Sequence, residues 1–406
     1  MNIIIDFEEM QRALKGVLAT VNDSTISSDN RNFLFWVNKS SQICKVVSKS
    51  IYATTYTNVK AAVMFDEEDK DDDIFVQLQA KRVDDILKTY TSLSTTTVIG
   101  VEFSIKSNTV IMIVREGEKG KEDVVKNATK FRLAKLPIMA SMLMQIKQIP
   151  NNVQMEEIQS KEILYYLDAF LPMFSKDNVE NNSNRIYIGD DNIYAIPLYC
   201  AVILKNKLYD KGFNDFILRK NIAKFIKVFI SFEEVIKYAK QATESGYILL
   251  FENSYGKVVI QVENMESAFS IEKFVDKPNN GIVISSKYMT ETIKRLSLTK
   301  DTVNVEINIT ADKGQMMIIS QDFVTYVPVA MTKGMGRFEF SVLPEILSML
   351  VMNHWRNKEY EDDYLFILVN QTEKGYVEMC VMDKSNEWFT KVNKLILNKK
   401  EFNWER

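Results

Sequence analysis

The sequence predicts an α+β protein of three similar domains, each with two helices packed on antiparallel sheets. Three observations predict it. A short strand, an amphipathic helix of about ten residues, then two or three strands with period-2 alternation recur six times along the 406 residues. Two joints rich in Pro and Asn, 148–152 (QIPNN) and 277–281 (KPNNG), sort these units into pairs. A composition 46% hydrophobic and 26% charged supplies apolar material for several cores. The expected domains are 1–148, 149–277 and 278–406, the last with a C-terminal tail.

The first unit opens with strand Asn2–Asp6. Its helix, Phe7–Leu18, carries Phe7, Met10, Leu14 and Val17 on one face. Strands follow near Phe33–Val37, Ile43–Val47 and Ile51–Thr57. The second unit has strand Ile74–Leu78 and a helix over Lys81–Tyr90 with the stripe Val83, Ile86, Leu87 and Tyr90. Its strands lie near Val98–Ile105, Val110–Val114 and Lys130–Ala134.

The third unit starts near Val153–Ile158, with a helix over Lys161–Phe170 that Pro172 should end. Strands Arg185–Ile188, Ile193–Ile196 and Tyr199–Leu204 follow. The fourth has strand Phe213–Leu218 and helix Lys220–Phe229, built on Ile222, Phe225, Ile226 and Phe229. A further short helix is expected over Phe232–Gln241, then strands Tyr247–Glu252, Lys257–Glu263 and Ser267–Ile271. The fifth comprises strand Gly281–Ser285, helix Lys287–Leu296 and strands Val303–Ile309, Met316–Ser320 and Val324–Ala330. The sixth comprises strand Arg337–Phe340, helix Leu343–Met352 and strands Tyr364–Asn370, Tyr376–Met382 and Trp388–Asn393.

Several function classes are disfavoured. Three widely spaced cysteines, Cys44, Cys200 and Cys380, make neither a disulfide framework nor a zinc site and fit a reducing compartment. The single histidine, His354, leaves little for His-based acid–base or nucleophilic catalysis. The stretch 117–121 (GEKGK) lacks P-loop spacing and reads as a hairpin loop. The acidic run 66–73 (DEEDKDDD) lacks the spacing of a calcium loop and reads as a solvated, self-repelling segment. No secretory leader or membrane span is expected, so the chain is expected to be cytoplasmic, with no metal, no cofactor and no enzymatic activity. With a net charge of −3, any nucleic-acid contact must use positive charge segregated onto one face.

The order of elements and the domain spacing resemble the bacterial DNA polymerase III beta subunit family, the DNA sliding clamps. The opening IIIDFEEMQRALKGV is similar to that family's first strand and helix, and LQAKRVDDILKTY to its second helix. FILRKNIAKFIKVF resembles the second helix of its middle domain, and FTKVNKL its closing strand. The likeness covers about residues 1–395. The acidic loop, the expected helix 232–241 and the tail 396–406 depart from the family pattern. Together with a composition rich in Lys, Asn and Ile, they point to a divergent viral (bacteriophage) member.

The resemblance implies three DNA-clamp domains per chain, closed by a head-to-tail homodimer into a ring whose helices line the hole. The implied partners are duplex DNA bound without sequence preference, a DNA polymerase and a separate clamp loader ATPase. Four helices bear cations opposite their apolar stripes: Arg12 and Lys15; Lys81 and Lys88; Lys220, Lys224 and Lys227; Lys287 and Lys294. Asp84, Asp85 and Glu291 temper that field, and the third and sixth helices lack it. Arg31 and Arg185 would sit on loops near the duplex by resemblance. The family's partner-peptide pocket maps onto Pro197, Leu198, Tyr199, Pro278, Tyr376, Phe389, Lys391, Val392, Asn393 and Leu395, with Lys394 also at this end of the chain. A bland reading makes these lysines a solvated face and these apolar residues plain core. A viral structural or assembly protein of repeated α+β modules fits the repeats equally, but gives no reason for basic faces on equivalent helices.

Overall fold

The structure, a computed structural model, describes residues 1–21, 32–50, 53–66, 71–90, 96–138 apart from 107 and 119–120, 140–147, 153–174, 184–196 and 200–265. Beyond these it describes 280–285, parts of 291–295, and the strands between 303 and 395.

In chain order the elements begin with β1 (Asn2–Ile5), α1 (Phe7–Val21), β2 (Asn32–Asn38), β3 (Ile43–Lys49), β4 (Ala53–Val59) and β5 (Ala61–Met64). Next come β6 (Asp73–Gln79), α2 (Ala80–Lys88), β7 (Thr96–Ile105), β8 (Thr109–Glu118), β9 (Lys121–Ala134) and α3 (Ala140–Lys147). Then follow β10 (Glu156–Gln159), α4 (Ser160–Phe170), β11 (Arg185–Ile188), β12 (Asn192–Ala195), β13 (Cys200–Lys205), β14 (Phe216–Arg219) and α5 (Lys220–Ile230). The run β15 (Val235–Thr243), β16 (Gly246–Asn253), β17 (Gly256–Asn264), β18 (Asn280–Ser285), β19 (Val303–Ile309) and β20 (Gly314–Ile319) comes after it. The last are β21 (Val324–Pro328), β22 (Met331–Lys333), β23 (Gly336–Val342), β24 (Tyr364–Gln371), β25 (Val377–Met382) and β26 (Trp388–Leu395).

Two compact units emerge, Met1–Lys161 with Asn221–Glu263, and Glu162–Lys220 with Asn264–Arg406. The first holds the sheet β5-β1-β7-β8-β9. It also holds a second antiparallel sheet, in which β10, β15, β16, β17, β4, β3, β2 and β6 pair in that order. Met10, Leu14 and Val17 of α1 and Val83, Ile86 and Leu87 of α2 share one core with Phe35 of β2 and Phe103 of β7. The stripes read from spacing are therefore the faces that pack. The second unit pairs β14, β11, β12, β13, β26, β25, β24, β18 and β22 in that order. It also contains the sheet β21-β20-β19-β23.

Asp6 caps α1: its Oδ1 accepts from the amides of Glu8 (2.8 Å) and Glu9 (3.2 Å). Asp6→Ala should cost about 1 kcal/mol, read by urea unfolding; an unchanged midpoint would show that this cap adds nothing.

The expected helix 232–241 is wrong. Val235–Thr243 is a strand held between β10 and β16. Ile236 and Tyr238 are buried while Val235 and Lys237 are exposed, a period of two that sheet pairing rewards over the local helix-forming composition. Helix α3 was not anticipated. The expected strand at Phe213 begins three residues later, because left-handed Gly212 (φ 69°) and Asp215 (φ 60°) turn the chain there. The Asn206 amide steadies that turn, donating to the carbonyls of Gly189 (2.7 Å) and Phe213 (2.9 Å). Helix 343–352 and strand 267–271 lie outside the described residues, as does most of helix 287–296, of which Glu291, Thr292 and Arg295 are described as helical.

Candidate nucleic-acid interface

The helix cations separate into three classes. Lys15 on α1, Lys81 on α2 and Lys224 on α5 are exposed, with no ion-pair partner among the described residues. Each lies off the apolar stripe of its helix, where a phosphate could reach it. Lys88 is exposed too, but its ammonium sits 2.5 Å from Asp84 one turn earlier, and that hydrogen bond and charge hold its pKa above the usual lysine value. Lys227 is half-buried.

Arg12 is committed to the protein. Its Nη2 lies 2.6 Å from Glu9 and 3.4 Å from the Asn58 carbonyl, and its guanidinium stacks over the Tyr255 ring at 3.7 Å. This fastens α1 to the turn between β16 and β17, leaving little of Arg12 for a ligand. Lys220 corrects the expectation of a three-lysine face, since it is only 5% exposed. It is the first residue of α5, and helical side chains tilt toward the N-terminus, which at this position draws the chain back from solvent. Arg185 opens β11 and is half-buried, opposite Arg219 of β14. Arg31, Lys287 and Lys294 fall outside the described residues.

The acidic run is partly a structural turn. Asp72 accepts from the Ser40 amide (2.9 Å), the Ser40 hydroxyl and Asn38, and the Ser40 hydroxyl bond does most to hold its carboxyl below the usual range. Asp73 accepts from Trp36 Nε1 (2.9 Å) and Asn38 (2.9 Å). Both carboxylates thus steady the ends of β2 and β6.

For the expected peptide pocket the backbone register is informative. β26 runs between β13 and β25, setting Val392 opposite Cys200 and Met379, and Phe389 opposite Ile203 and Met382. Leu395 pairs with Val377 across an irregularity in the ladder. The backbone of Lys391 and Asn393 belongs to the same strand. Pro197, Leu198, Tyr199, Pro278 and Tyr376 lie outside the described residues, although 197–199 directly precede Cys200, and Tyr376 directly precedes Val377.

Spacing along the helices missed two cations of the first unit. Arg82 on α2 and Arg132 on β9 are exposed and line one cleft with Asn32. The alternation of exposed Lys130 and Arg132 with buried Leu133 was the available signal for Arg132. Among the described residues no helix is long and apolar enough to cross a membrane.

Comparison with solved structures shows the fold. The chain is similar to DNA polymerase III beta subunit of Thermotoga maritima, with TM-score 0.68 and 12% identity, over 98% of this chain and 100% of that one. It is similar to DNA polymerase III subunit beta of Borrelia burgdorferi, solved with a natural product, with TM-score 0.71 and 11% identity, over 98% and 100%. The beta clamp of Helicobacter pylori, bound to a DNA ligase peptide, gives TM-score 0.66 and 10% identity over 97% and 100%. No protein-family model matches the sequence, and no curated protein does.

Proposed function

We propose that this chain is the subunit of a sliding clamp, a non-enzymatic processivity factor that encircles duplex DNA and tethers a replicative polymerase. One observation carries the reading: the likeness to solved beta subunits spans 97–98% of the chain and essentially all of each neighbour. An interrupted or partial match would fit a shared module, whereas a full-length one fits a shared architecture. The exposed lysines of α1, α2 and α5 add to it.

In this reading residues 1–148, 149–277 and 278–406 are three clamp domains, and two copies joined head to tail close the ring. Lys15, Lys81 and Lys224 touch phosphates rather than base edges, with Lys88 and Lys227 on the same helices contributing less, so binding is indifferent to sequence and weakens with salt. Arg31, Arg185, Lys287 and Lys294 extend that lining. Topological linkage, not contact affinity, keeps the ring on DNA while it slides. A separate ATPase opens it, in the cytoplasm of a bacterial host. Identities of 10–12% and the departures at 66–73 and 396–406 fit a divergent bacteriophage member. Partner peptides dock beside β26, at Pro197–Tyr199, Pro278, Tyr376 and Phe389–Leu395. The ligase peptide on the Helicobacter pylori clamp supports a peptide-binding role.

The test compares retention on circular and linear primed DNA in the presence of polymerase and loader. A clamp stays on the circle and runs off free ends; equal retention on both would sink the topological mechanism.

A further inference from the structure

We propose that the first unit carries an oxyanion site for a phosphate dianion, free or at the end of a small organic phosphate, in the cleft where α2 begins and β9 ends. The cleft encloses about 420 Å³ and is lined by Arg82, Arg132, Asn32 and Gln79, with Val83 and Leu133 among its apolar walls. Among the described residues no carboxylate lines it.

The charges are unbalanced from within. Arg12 and Arg115 are each paired with a glutamate, but neither Arg82 nor Arg132 has a partner among the described residues. Two guanidiniums in one cleft repel each other, and an external anion relieves that repulsion while matching their planar donor forks.

Asn32 is the second, independent sign. It is 8% exposed, it lines the cleft, and its side-chain amide has no hydrogen-bond partner among the described residues. Its NH₂ group is therefore open to the cleft, and an oxyanion there would accept from it beside the two guanidiniums. Gln79, at the cap position of α2, makes no side-chain cap bond either.

The charge count selects the ligand. A phosphate monoester carries about −1.5 to −2 near neutral pH and three acceptor oxygens, so it matches two guanidiniums. A carboxylate supplies one charge and two oxygens. A bare ion would leave space, and Val83 and Leu133 give an organic remainder an apolar wall.

The experiment follows thermal unfolding and calorimetric titration of the full chain with inorganic phosphate, adenosine 5′-monophosphate and adenosine, at ionic strength matched with chloride. The phosphate-bearing probes should bind and raise the unfolding temperature, and adenosine should not. Arg82→Gln and Arg132→Gln should each weaken binding roughly tenfold, and the double variant should abolish it. Binding should be tighter above the second phosphate pKa, near 6, than below it. If only the monophosphate binds, the occupant is an organic phosphate; if both bind alike, the phosphate group alone suffices. No phosphate effect, or an equal effect in the double variant, overturns the proposal. So does a loss of self-association in the double variant, seen by sedimentation, with no response to phosphate, because the cleft would then hold an acidic segment of a second copy.

Discussion

Gly256→Ala should destabilise the protein by about 3 kcal/mol, at the upper end of overpacking costs. Gly256 opens β17 and pairs with Thr57 of β4, the contact through which β15, β16 and β17 extend the sheet of β2, β3, β4 and β6. A Cβ at Gly256 would lie 1.9 Å from the Tyr56 carbonyl oxygen and 2.9 Å from the Thr57 Cα. Both neighbours are backbone, so no rotamer change relieves the clash. Nor is β4 free to retreat. Tyr56 is 4% exposed, and its hydroxyl donates to the Ile146 carbonyl of α3 at 2.9 Å. On the other side, Asn253 Oδ1 accepts from the Tyr255 and Gly256 amides at 3.0 and 3.1 Å and fixes the turn. The expected outcome is a lower urea midpoint with faster amide exchange at Asn58, whose N–H donates to the Tyr255 carbonyl across this junction. Gly16→Ala is the control. Its nearest neighbour would be Thr57 Oγ1 at 3.9 Å, ordinary contact within a helix, so alanine should be neutral or stabilise by up to about 1 kcal/mol. Equal midpoints for Gly256→Ala and the parent would mean that β4 and β17 part easily.

The helices of the first unit were legible because apolar residues at 3.6 spacing have one reading: Met10, Leu14 and Val17, or Val83, Ile86 and Leu87, bury where the periodicity puts them. Residues 232–241 failed because Glu233, Glu234, Ala239 and Lys240 favour a helix locally, while β10, a distant strand, supplies the pairing that wins. Helix α3 escaped because its Met- and Leu-rich stretch is apolar on most sides and offers no stripe; Ile146 is buried while Met144 is 62% exposed. Charge was legible as placement but not as availability. Glu9, three residues before Arg12, was a visible partner, whereas Tyr255 was not, since only the fold brings it there. The same holds for Arg82 and Arg132, far apart in sequence and brought to one cleft only by the fold. Lys220 shows the limit of helix-face arguments: at the first position of α5 it is buried, whereas Lys81, second in α2, is exposed.

That distinction between placed and available charge makes the functional prediction specific. The lysines that should count are Lys15, Lys81 and Lys224, exposed and without an ion-pair partner among the described residues. A lysine that neutralises a phosphate releases a counterion, and the slope of log affinity against log salt changes by about 0.9 for each such contact. Replacing all three by glutamate should therefore flatten the slope by nearly 3 and remove most loading onto primed circles, measured by filter binding across a salt series and by retention on DNA. Because the three side chains are exposed, the unfolding free energy in urea should change by no more than about 0.5 kcal/mol per substitution. Lys88 provides a control of opposite sign. Asp84 holds its ammonium at 2.5 Å, so Asp84→Asn should remove its nearest counter-charge and steepen the salt dependence. Arg12→Gln should act differently again, lowering stability through the lost contacts with Glu9 and Tyr255 and changing the salt slope little. A triple variant with an unaltered slope would remove these three helix faces from the DNA-facing surface. A steeper slope in Asp84→Asn alongside a flattened one in the triple variant would tie binding to the exposed cations of these helices.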